Sequence, residues 1–167
     1  MELQEIHLNL KETREDLLKT LNGLSEEQLH KQKDSNSWSI NQIYQHLIKT
    51  EELYVAAIRR GLKSNEDSVV GDKALDFLLD RSKKIEAPEI ARPSSGFIDR
   101  QEIIEKLNHS RAKLNEILKS LEDPTVLSRR HFVHPVFKEM LLMEWVKSIY
   151  LHEQRHIKQI IEIIDGK

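Results

Sequence analysis

The sequence predicts an all-α protein built as a four-helix bundle, and three observations carry that reading. Apolar residues recur every third or fourth position through most of the chain, the spacing that gathers them on one face of a helix. Glycine is scarce, five in 167 residues, and no alternating apolar–polar run marks a convincing strand. Capping signals, Ser or Asp followed three residues later by Gln or Glu, stand just ahead of apolar stripes.

The first helix is expected from about Glu2 to Leu21. Leu3, Ile6, Leu10, Leu17, Leu21 and Leu24 are spaced by threes, fours and one seven, and Gly23 stops it. Ser25-Glu26-Glu27-Gln28 is a capping box that starts a short extra turn, and Lys31 to Ser37 is a polar loop. Ser39 caps the second helix with Gln42 three residues on, and Trp38 and Ile43 are placed to staple its entry. That helix continues through Leu47, Tyr54 and Ile58 to the neighbourhood of Gly61. A long connection, about Leu62 to Ile98, follows; it holds one weak helix, Lys73 to Lys84, and the extended stretch Ala87 to Gly96. Its length lets the next helix cross over instead of folding straight back. Asp99 caps the third helix with Glu102 at the box position; the stripe is Ile103, Leu107, Leu114, Ile117 and Leu121, with Pro124 beyond its end. The loop Asp123 to Lys138 contains His131, His134 and Pro135, and the fourth helix is expected over about Glu139 to Ile164. No repeat or linker divides residues 1–167, so one helical domain is expected.

Composition removes several classes of function. Lys plus Arg is 26 and Asp plus Glu is 28, a formal charge of −2, which argues against non-specific nucleic-acid binding. With no cysteine, disulfides, Cys-ligated zinc, iron–sulfur clusters and thiol nucleophiles are excluded. No phosphate-cradling glycine motif is present. There is no apolar run of about eighteen residues, and MELQEIHLNLKE carries acids where a signal peptide carries bases. A cytoplasmic protein that does not use a membrane is the expectation.

The unusual count is eight histidines. His152-Glu153-Gln154-Arg155-His156 puts two imidazoles one helical turn apart on one face, where both can reach one metal ion. At about 100° per residue, Leu142, Trp145, Val146, Ile149, Ile160, Ile163 and Ile164 form one sector that also contains His152, Glu153 and His156. Lys147, Arg155, Lys158 and Glu162 fall opposite. Ionisable groups aimed into a core each cost roughly 1–3 kcal/mol if left unpaired. Gln159 lies at the edge of the same stripe, and His46, at the flank of the second helix's apolar face, offers a third nitrogen. Two readings of the residues stand: core histidines satisfied by neighbours, or a three-nitrogen metal site with an open position. A zinc peptidase does not fit the HExxH string, because the extended motif needs Gly at 159 and His at 162 where Gln159 and Glu162 stand. His7, His30 and His109 read as solvated, His131 and His134 as loop-packing residues, Tyr54, Trp145 and Tyr150 as core aromatics, and Arg129-Arg130 as a solvated loop.

The ordered set Trp38-Ser39-Ile40, Gln45-His46-Leu47, His134-Pro135-Val136-Phe137, Glu144-Trp145 and His152-Glu153-Gln154-Arg155-His156-Ile157-Lys158-Gln159-Ile160 resembles the DinB-like (YfiT-like) metalloenzymes over essentially the whole chain. The stretch from Ala87 to Pro93 is similar as well. The resemblance implies an up-down-down-up bundle, often a homodimer, with a divalent transition metal, Zn or Ni, held by His46, His152 and His156. Relatives of that kind include S-transferases that use bacillithiol or mycothiol, and others that are only named as hydrolases or as DNA-damage-inducible, stress-response proteins. It further implies a low-molecular-weight thiol as cosubstrate, held as thiolate, attacking a small-molecule electrophile. Glu153 is the candidate catalytic residue, accepting the thiol proton or orienting a ligand imidazole, and Gln159 is a candidate support. The alternatives are a hydrolase using metal-bound hydroxide, which would turn over without thiol, and a non-catalytic dimeric interaction protein.

Overall fold

The structure, a computed structural model, describes residues 2–167. Its elements are α1 (Glu2–Asn22), α2 (Glu26–Leu29), α3 (Ile40–Leu62), α4 (Arg100–Ser120), β1 (His131–His134), β2 (Lys138–Leu141) and α5 (Leu142–Asp165). The bundle is α1, α3, α4 and α5, so the second, third and fourth helices of the sequence reading are α3, α4 and α5. Among the described residues no helix is long and apolar enough to cross a membrane.

The caps work as their residue types dictate. Ser39 Oγ accepts from Gln42 N at 3.1 Å while Gln42 Oε1 accepts from Ser39 N at 2.9 Å, which satisfies two of the free donors at the start of α3. Asp99 accepts from Glu102 N at 2.8 Å to start α4. Gly166, at φ 72°, ends α5 in the left-handed region. Gly61 is a close-packing residue near the end of α3: a Cβ there would stand 2.4 Å from a methyl of Leu142.

The core falls into two apolar halves. One gathers Ile6, Leu10, Tyr54, Ile58, Leu114, Trp145 and Ile149; the other gathers Leu17, Leu21, Ile43, Leu47, Leu107, Ile160 and Ile163. Helices α1 and α5 run from the first half to the second, and α3 and α4 run from the second to the first. That is up-down-down-up, and α3 and α4 are parallel because the long connection carries the chain back between them.

The helix expected at Lys73 to Lys84 in this connection does not form; that stretch holds one 3-10 turn, Asp76–Leu79, and a second follows at Glu89–Ala91. Arg155 explains how the segment is held. The guanidinium expected to face solvent is buried and donates to Leu78 O (3.0 Å), Asp80 O (2.9 Å) and Lys83 O (2.5 Å). Further along, α3 holds the chain down with side-chain amides: Gln45 donates to Gly96 O at 2.8 Å, and Asn41 donates to Ile98 O at 2.7 Å.

The second correction is at the start of the last helix. Residues 131–141 form an antiparallel hairpin with His131 opposite Leu141 and His134 opposite Lys138, and α5 begins at Leu142 instead of Glu139. Neither strand alternates, since Phe132 and Val133 are adjacent and so are Met140 and Leu141, and the period-2 signal of a strand is absent. Arg129 and Arg130, expected in a solvated loop, both pair with Asp67, and Arg130 also donates to Ser64 O at 2.9 Å.

Candidate metal centre

His46 on α3 and His152 and His156 on α5 come together in the core. His46 and His156 are buried, and His152 is nearly so. His152 Nε2 lies 3.0 Å from His46 Nε2 and 3.0 Å from His156 Nε2. One ligand atom from each residue lies within 4.8 Å of the others, a cluster that could hold a metal ion.

The outward nitrogens decide what the inward ones present. His46 Nδ1 is 2.7 Å from Ala91 O; a carbonyl only accepts, so Nδ1 carries the proton and Nε2 is a lone pair. His156 Nδ1 stands 2.7 Å from Gln159 Oε1, with the same consequence. Two lone pairs therefore point at His152 Nε2, and a single proton there serves one of these contacts well. The other is left nitrogen against nitrogen. A cation satisfies all three, and the 3.0 Å spacings approach the roughly 3.3 Å that tetrahedral Zn–N bonds would set.

Electrostatics keeps the imidazoles in their ligating form. Burial lowers the pKa of His46 even though the Ala91 carbonyl works the other way. Burial, with His46 beside it, pushes His156 down to about 3. Burial and then the two neighbouring histidines hold His152 well below its ordinary value. All three are neutral at pH 7, as metal ligation requires. Trp38 stacks at a tilt on His46, centroids 4.9 Å apart, and helps fix the ring.

Next to this cluster lies a second one that the apolar stripes alone did not reveal. Arg14 (α1), Glu51 (α3), Arg111 (α4) and Glu153 (α5), all buried, meet between the two halves of the core. Arg14 donates to Glu51 Oε1 at 2.8 Å and Glu153 Oε1 at 2.9 Å. Arg111 donates to Glu51 Oε2 at 2.7 Å and also to Glu153 Oε1. Each guanidinium then reaches a carbonyl on the other's helix, Arg14 to Leu107 O at 2.7 Å and Arg111 to Leu10 O at 2.8 Å. Ser110 Oγ donates to Glu51. Burial alone would raise Glu51, but Arg111 and Arg14, with Ser110, hold it below the usual carboxylate range. For Glu153 burial wins and the pKa is raised. The structure thus places Glu153 among guanidiniums and 3% exposed, adjoining the histidines through the backbone of His152.

Among the other histidines, His134 is buried and shares a 2.8 Å hydrogen bond with Tyr54 Oη. Its Nδ1 accepts from Val136 N and Phe137 N, both at 3.0 Å, closing the hairpin turn. His30 is exposed and stacks on Phe97 with centroids 4.1 Å apart.

The model of the DinB superfamily matches residues 9–160. The chain belongs to the DinB superfamily. Its similarity extends to the uncharacterized protein YuaE of Bacillus subtilis (strain 168), 30% identical over 152 residues that span 91% of this chain and 93% of YuaE. The fold is similar to that of TT2238, a four-helix bundle protein, with a TM-score of 0.62 at 19% identity over 95% of this chain and 97% of that one. Within this DinB-superfamily chain, the three histidines expected as ligands are the three the structure brings together.

Proposed function

We propose that this DinB-superfamily protein is a metal-dependent S-transferase in which His46, His152 and His156 hold one divalent transition ion, Zn or Ni. The observation that carries the reading is the convergence of three neutral imidazole nitrogens, two with tautomers set by Ala91 O and Gln159 Oε1. Three nitrogens and no thiolate or carboxylate suit a borderline ion and leave open coordination positions. The ion, when bound, supplies the Lewis acidity that favours the thiolate form of a low-molecular-weight thiol such as bacillithiol.

The protein's own part is placement. Ala91 O and Gln159 Oε1 keep the imidazoles of His46 and His156 turned inward, and Trp38 covers the ring of His46. Glu153 is engaged by two guanidiniums, which suits support of the ligand helix better than exchange of protons with a substrate. The sulfur nucleophile comes from the cosubstrate, since the chain has no cysteine.

The test is consumption of a small electrophile by zinc- or nickel-loaded protein with and without bacillithiol. Thiol-dependent turnover, abolished in His46→Ala, is the expected result. Equal turnover without thiol would replace transfer by hydrolysis, and metal loading that survives His46→Ala would remove the site.

A further inference from the structure

Two of the three imidazoles have their outward nitrogen committed to a protein acceptor. His152 does not: among the described residues its hydrogen bonds are made through Nε2 alone. Metal-bound histidines almost always fix the remaining ring nitrogen on a carboxylate, a carbonyl or a water. Alongside His152 is a small cavity lined by Leu47, Thr50, Glu51, Ile149, His152 and Glu153, with about 10 Å³ open to the centre of a water molecule. One water needs about 10–15 Å³ on that measure.

Thr50, Glu51, His152 and Glu153 make the lining polar, and of these Glu153 carries an unmet acceptor. Its Oε1 takes both guanidiniums, while Oε2 is buried with no hydrogen-bond partner among the described residues. An acceptor left that way is costly enough to call for a donor.

We propose that this cavity is the site of one structural water joining His152 Nδ1 to Glu153 Oε2, through which the charge network at the bundle centre orients the third imidazole of the cluster. The role assigned to the imidazole rests on the metal reading above; the water site itself does not need the ion. With the ion bound, Nδ1–H donates to the water and the water donates to Oε2. Without it, the His152 proton can sit on Nε2 between the neighbouring histidine nitrogens, and the water donates one hydrogen to Nδ1 and the other to Oε2. A water, being donor and acceptor, serves both forms, whereas a carboxylate directly against Nδ1 serves only the first. Glu153 is then a positioning residue.

The direct experiment is a high-resolution crystal structure of the metal-free protein, paired with Zn²⁺ affinity measured by competition against a chromophoric chelator. An ordered water within hydrogen-bond distance of both His152 Nδ1 and Glu153 Oε2 is expected; a dry cavity, or a ring turned away from it, would overturn the proposal. Thr50→Ile replaces a hydroxyl that stands 3.5 Å from His46 Nδ1 by an ethyl group at the cavity wall and leaves all four charges in place; against Thr50→Val, which loses the same hydroxyl without filling the cavity, it is expected to expel the water and weaken Zn²⁺ binding about 10–100-fold, the usual cost of losing such a partner. Glu153→Gln has one oxygen, which the two guanidiniums take, so its NH2 group stands where Oε2 stood; with the ion bound the water can accept from both sides, and the variant is expected to keep the water and to lose less Zn²⁺ affinity than Thr50→Ile. Wild-type affinity in Thr50→Ile with the water gone would also overturn the proposal. The two readings fail separately: a protein that binds no Zn²⁺ yet shows the water loses only the metal assignment, and one that binds Zn²⁺ over a dry cavity loses only the water link.

Discussion

Arg14, Glu51, Arg111 and Glu153 bring two charges of each sign to the centre of the bundle and hydrogen-bond one another from four helices. His46, His152 and His156, on two of the same helices, are three neutral bases of one kind with converging lone pairs. The first cluster is balanced by its own members. The second is not, and the difference separates a group of residues that ties four helices together from one that could hold a metal ion. Both are buried, so burial alone would not tell them apart; the complementarity of donors and acceptors does.

The largest effect that could break this contrast is on stability. Replacing Arg14 by Met leaves two buried carboxylates to one guanidinium and is expected to cost about 3–5 kcal/mol in chemical denaturation, the range for removing one partner of a buried ion pair. His152→Gln in metal-free protein is expected to cost clearly less, because it removes a base from a cluster of bases. If the two costs were equal, the clusters would not differ as described. Zinc should reverse the order of importance. At about 100 times its dissociation constant it is expected to stabilise the wild type by about 2.7 kcal/mol, seen as a raised unfolding midpoint, and to leave His46→Ala unmoved.

Acid sharpens the contrast further. His156 titrates near 3 and His134 near 4 in the folded protein, against about 6.5 unfolded. Between those values the unfolded chain binds more protons, so stability falls as pH drops from about 6.5 towards 3 and is complete above that window. For His134 the causes are burial and then Lys73, with no metal ligand involved. His134→Gln should therefore flatten the part of the slope down to about pH 4 without affecting zinc binding, as denaturation at stepped pH would show. The smallest effect is the cap: Ser39→Ala at the start of α3, the helix that carries His46, is expected to cost about 1 kcal/mol, with metal content unchanged.

The four helices, their caps and the His152–His156 pair were legible because periodicity and spacing are local properties, whereas the family resemblance was what joined His46 to that pair across 106 residues. The charge network was legible in a form easy to pass over. The stripe of α1 jumps seven residues from Leu10 to Leu17 with Arg14 between; α4 jumps from Leu107 to Leu114 over Arg111, and α3 from Leu47 to Tyr54 over Glu51. Each gap holds a charge at a core position, and the four helices meet there. Arg155 was assigned to solvent because the wheel of one helix carries no information about a segment 72 to 77 residues away that covers it. The partner of His46 was hidden for a related reason: Ala91 acts through its carbonyl, and any residue there would have one. The hairpin at 131–141 escaped because neither of its strands alternates apolar with polar residues.

The most direct measurement is metal content by elemental analysis of protein purified without an affinity tag, for the wild type and for His46→Ala, His152→Ala and His156→Ala. Near one equivalent of zinc or nickel in the wild type, lost in each variant while the fold is retained by circular dichroism, is the expected result. Substoichiometric metal that none of the three substitutions changes would contradict it, and the histidines would then be core residues of a bundle whose activity lies elsewhere.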